Sequence, residues 1–72
     1  MNGITLKVGD IIKPCFKGSN IISFEILEIN HPKNWVKTMV TPMNGQPFIE
    51  EDDDLNNFYN GLIIGDYELI KL

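Results

Sequence analysis

Five consecutive carboxylates, Glu50, Glu51, Asp52, Asp53 and Asp54, form the densest group of chemically active side chains in this 72-residue sequence. Such a run can bind a divalent cation, meet a basic partner, or do neither and stay in solvent. A Ca²⁺ loop spaces its ligands at alternate positions around a glycine that permits a sharp turn. Here the carboxylates are contiguous, successive side chains alternate sides, and no glycine interrupts them, so no metal site is expected. The second use is recognition of a basic surface, including mimicry of nucleic-acid phosphates. The third is a solvated loop leading into a helix.

Other reactive residues are few. His31 is the only histidine, which leaves no histidine pair for a metal and no Ser-His-Asp set to assemble. It is expected in an exposed, proline-containing loop. Cys15 would gain nucleophilicity if Lys13 or Lys17 stabilised its thiolate. Between Pro14 and Phe16 it reads instead as a small packed hydrophobe. As the only cysteine it cannot close an internal disulfide, which points to a reducing, cytoplasmic compartment. No P-loop, glycine-rich phosphate cradle, zinc spacing or paired catalytic carboxylates occur. The expectation is a protein that is not an enzyme and carries no cofactor.

Charge narrows the choice of partner. The net charge is −4. Residues 1–37 carry five lysines against Asp10, Glu25 and Glu28, a balance of +2, whereas residues 38–72 set Lys71 against seven acids, a balance of −6. A polyanion binder shows a basic stripe, and six scattered lysines with no arginine do not make one. A local basic face at Lys7, Lys13, Lys17 and Lys37 keeps nucleic acid as the alternative partner. No secretory leader is recognisable at Met1-Asn2-Gly3-Ile4, and the longest apolar run, Leu62-Ile63-Ile64, is far below the roughly 20 residues of a membrane span.

Eleven isoleucines and eight asparagines, with no alanine, match the codon bias of an AT-rich bacterium or phage. They also lower helix propensity and favour strands. Ile4–Val8 alternates apolar and polar residues as a half-buried strand does. After the turn Gly9-Asp10, Ile11-Ile12-Lys13 is extended, and Pro14 places that segment at an edge or ends it. Across 21–29, Ile22, Phe24 and Ile26 share a face, and a phase slip at Leu27 and Ile29 signals a bulge. Trp35–Thr41 is a further strand, and Asn44-Gly45 marks a hairpin returning through Pro47-Phe48-Ile49. Leu55, Phe58, Tyr59 and Leu62 have helical spacing. A short helix is predicted over about 54–60, capped by an aspartate and stopped by Gly61. Leu62-Ile63-Ile64 and Tyr67–Leu72 close the chain as extended structure.

Short strands with a turn every 8–12 residues suit a small barrel, and at this length an SH3-like barrel rather than the larger OB type. Trp35, Phe48, Phe58 and Tyr59 could line an aromatic groove of the kind that receives polyproline. Most aromatics of so small a chain are core, and Phe24 and Trp35 are assigned there. Phe58 and Tyr59 cannot both face inward on one short helix.

The segments LKVGDIIKP, GSNIISFEILEI, NWVKTMVTPMNGQPF and YELIKL together resemble small SH3-like β-barrel proteins of bacteria and phages, nearest to the YodC-like family. Val8-Gly9-Asp10, Gly18-Ser19, Trp35 and Tyr67–Leu72 carry the resemblance, and the acidic segment 50–60 departs from it. It implies a fold and no activity.

The resulting expectation is one mainly β domain over 1–72, a small SH3-like barrel or half-barrel of about five strands with an acidic loop and short helix at 50–61. Its function is that of a non-enzymatic interaction module. Glu50, Glu51, Asp52, Asp53 and Asp54, with Phe58 or Tyr59, meet a protein with a basic surface, a host protein if the chain is phage-encoded. A chain this short buries little, so self-association is a further source of stability.

Overall fold

A computed structural model describes residues 5–70. Five antiparallel strands and one helix follow in the order β1 (Ile11–Pro14), β2 (Ile21–Asn30), β3 (Trp35–Pro42), β4 (Phe48–Asp54), α1 (Leu55–Ile64) and β5 (Tyr67–Ile70). The strands form one sheet in the order β4-β3-β2-β1-β5. The sheet does not close: β4 and β5 are its two edges, and α1 lies between them and contacts β3, β4 and β5. The molecule is mainly β, as expected, and compatible with a small barrel or half-barrel.

β2 is the longest strand, and two bulges set its inward face. Its pairing with β3 slips between Ile21 and Ser23 and again between Ile26 and Glu28. The second slip falls where the sequence pattern changes phase. Each extra residue flips the alternation, so Ile21, Phe24, Ile26 and Ile29 turn to the core and Ile22, expected beside them, is exposed. On β3 the inward face is Val36, Thr38 and Val40, all fully buried. That leaves Trp35 on the opposite face, half-buried and outside the core cluster, which corrects its assignment to the core. Leu6, Ile12, Leu55 and Phe58 complete the buried set.

The predicted first strand is not formed over its described part. Asp10 donates from its backbone N–H to the Lys7 carbonyl and accepts from the Lys7 N–H on its side chain, so this segment closes into a turn. Leu6 still reaches the core, and its N–H donates to the Tyr59 hydroxyl at 3.0 Å. Ile4 lies outside the described residues. β1 does end at Pro14, as proline requires, although it sits between β2 and β5 rather than at an edge.

Two further expectations change in the second half. The acidic residues are not a loop: they are the greater part of β4. The helix also runs one turn past Gly61, so Leu62-Ile63-Ile64 are helical rather than extended. Asparagines and a glycine make α1 intrinsically poor as a helix, and its caps compensate. The Asp54 side chain accepts from Asn56 N–H at 2.9 Å, and Gly65, at φ 91°, closes the C-terminus by donating to the Gly61 carbonyl. A residue with a Cβ adopts that left-handed φ only with strain, so the stop belongs to Gly65.

Candidate functional site: the acidic edge strand

A bulge decides what the five carboxylates do. Opposite β3, Asp53 pairs with Val36 but Glu50 pairs with Thr38, so β4 carries an extra residue across Glu51 and Asp52. Directly opposed residues in an antiparallel pair project from the same face. Val36 and Thr38 face inward, so Glu50 and Asp53 stand on the inner face as well, at its open rim. Thr38, fully buried, donates its Oγ1–H to Asp53 Oδ2 at 3.2 Å and fixes that carboxylate. Glu51 and Asp52 project from the bulge as exposed side chains on the sheet edge. Asp54 is engaged within the fold, where its Oδ1 accepts from Asn34 Nδ2 at 2.8 Å and caps α1.

The nearness of Asp53 shows in the ionisation of Glu50. The Glu50 carboxyl is held above its ordinary range, first by its hydrogen bond to Asp53, then by the charge of Asp53, then by slight burial. Tyr67, on β5, is also raised: burial comes first, followed by the charges of Asp53 and Asp66. Burial and neighbouring anions both disfavour an ionised phenol or carboxyl.

Between β4, α1 and β5 lies a cleft of about 230 Å³. Its rim carries Glu50, Asp53, Asp54 and Asn57, and its walls are Ile21, Phe24, Phe58 and Tyr67. The three rings form one cluster, with Phe24 edge-on to Phe58 at 5.0 Å and to Tyr67 at 5.9 Å, and Phe58 tilted against Tyr67 at 5.5 Å. Such edge-to-face geometry is favourable for aromatic pairs.

The expected site is thus split. Glu50, Asp53, Asp54 and Phe58 share the cleft, Glu51 and Asp52 lie outside it on the edge, and Tyr59 is elsewhere, its hydroxyl engaged by Leu6. Phe58 is 4% exposed and belongs to the core, so neither aromatic is an exposed anchor on the helix. Exposed apolar surface beside the acids comes instead from Phe48 and Ile49 of the same strand. Phe24 and Tyr67 were not anticipated at a site. They are far apart in sequence, and only the sheet order brings them together.

The remaining candidates are dispersed. Lys7, Lys13 and Lys17 are exposed and Lys37 is half-buried on β3 opposite Glu28. Cys15, expected to be packed, is exposed, with its Sγ 3.6 Å from the Lys13 carbonyl oxygen and 3.9 Å from Glu68 Oε1. It follows the end of β1, where its backbone N–H donates to the Asp66 carbonyl. His31 opens the exposed turn between β2 and β3. Among the described residues no three carboxylate, imidazole or thiol groups gather to hold a metal ion, and no helix is long and apolar enough to cross a membrane. Compared with known protein families, curated proteins and solved structures, the chain finds no match.

Proposed function

We propose that this protein is a non-enzymatic interaction module that binds a basic segment of another protein along β4. The observation that carries this reading is the coincidence of charge and edge: the strand holding all five consecutive acids is also a border of the sheet. An edge strand offers N–H and C=O groups that a second chain can extend. Acids along such an edge repel a second copy of themselves and attract lysine or arginine. Phe48 and Ile49, exposed at the start of the strand, add apolar contact. The open five-stranded sheet is compatible with an SH3-like barrel, and a reducing, cytoplasmic setting would keep Cys15 as a thiol.

The test uses Glu51 and Asp52, which project outward as exposed side chains. A lysine-rich peptide of about ten residues, long enough to lie along one strand, is titrated into the protein with amide spectra as readout. The expected result is perturbation concentrated on residues 48–53, weakening between roughly 50 and 300 mM salt. Glu51→Lys with Asp52→Lys should lower affinity about tenfold or more. Unchanged affinity in that variant, or tighter binding of single-stranded nucleic acid at the lysines, would overturn the proposal.

A further inference from the structure

We propose that the aromatic-walled cleft between β4, α1 and β5 receives a lysine side chain of the partner, its ammonium seated between Glu50 and Asp53. This deepens the interaction reading above and rests on it. Lysine joins a four-carbon apolar stem to a compact charge, and the cleft has the same division. Phe24, Phe58 and Tyr67 wall it with mutually packed rings, and the two carboxylates stand together at its mouth. At about 230 Å³ it suits one side chain rather than a folded element.

Charge complementarity selects the occupant. Glu50 and Asp53 are placed on one face by the β4 bulge, near enough for a protonated Glu50 to donate to Asp53, and Thr38 holds Asp53 from behind. An ammonium has three donors and can serve both carboxylates from one point. A guanidinium fork instead favours a single carboxylate approached in its plane. A divalent cation would need six or more oxygens, and Asp54 is already committed to Asn34 and the helix cap. The aromatic walls add attraction for a cation wherever it lies over a ring face. The raised Glu50 titration agrees with two anions held close without a cation between them.

The probe is n-butylammonium chloride, added to the intact protein and followed by ring and carboxyl resonances. Sodium chloride at equal ionic strength and n-butanol are the references. Saturable shifts of Phe58, Tyr67, Glu50 and Asp53 are expected, with the Glu50 titration returning toward its ordinary range. Glu50→Gln with Asp53→Asn should weaken binding by about tenfold or more, while Glu25→Gln, an exposed acid of β2 outside the cleft, should leave it unchanged. Should the first variant lose its folded spectrum, Glu50→Gln alone carries the same expectation, because Glu50 is exposed at the rim and its amide replacement is nearly isosteric. Shifts reproduced by sodium chloride or butanol, indifference to the Glu50 substitution, or equal binding of n-butylguanidinium would overturn the inference. If the lysine-rich peptide still binds the edge in that event, the interaction reading stands and only the pocket is lost.

Discussion

Gly61 and Tyr67 are built against each other: a Cβ on Gly61 would overlap Tyr67 Cδ2 and lie 2.7 Å from Cε2. The glycine is buried in α1, where propensity alone would favour alanine by about 1 kcal/mol. The ring cannot easily retreat, because Phe24 and Phe58 back it. Gly61→Ala is therefore expected to destabilise the fold, by about 1–2 kcal/mol once overpacking is set against the helix gain. Urea denaturation of the variant checks this, and a stabilised Gly61→Ala would show that the ring has room.

Asp54 joins the sheet to the helix. Its carboxylate accepts from both Asn34 and Asn56, and the Leu55 N–H donates to the Asn34 carbonyl at 3.1 Å. Asp54→Ala removes the cap and is expected to cost about 1–2 kcal/mol. Asp54→Asn keeps an acceptor and should cost only a few tenths, roughly. Equal losses in the two variants would mean that charge, not the cap, is what matters at this position.

The Glu50–Asp53 pair makes stability depend on pH with a definite sign. A carboxyl whose folded pKa lies above its unfolded value binds its proton more tightly in the folded state. Protonation of Glu50 thus favours the fold, and the repulsion is fully present only above the raised value. Glu50→Gln should be the more stable protein near neutral pH, by about 0.3 kcal/mol at so exposed a site. The advantage should fade as pH falls toward the ordinary 4.5. Thermal melts across that window measure it, and an advantage that grows on acidification would refute the assignment.

Cys15 offers a direct check on the end of β1. Its exposure predicts that a thiol reagent modifies it in the folded protein within about tenfold of its rate in denaturant. Cys15→Ser should change stability by less than about 0.5 kcal/mol, as for other surface substitutions. Protection by several orders of magnitude would restore the packed role that its neighbours in sequence suggest.

Sequence alone determined the local features of this protein. Strand preference followed from eleven isoleucines and the absence of alanine, the hairpin from Asn44-Gly45, and the helix from the spacing of Leu55, Phe58 and Leu62. The bulge at Leu27 was legible because a break in the period of two marks it. Such signals are local, since backbone geometry and one buried face suffice to produce them. Which face of β3 is the core was decided only in three dimensions. Trp35 and Val36 are both apolar, and the bulges of a neighbouring strand determine which of them turns inward. The acids gave no sign of being a strand, because aspartate and glutamate are poor strand formers and only pairing with β3 holds them extended. The meeting of Phe24, Glu50, Asp53, Phe58 and Tyr67 depends on β5 joining β1 and on α1 closing the gap. Contacts over such separations have no local signature, so the cleft existed only once the sheet was assembled.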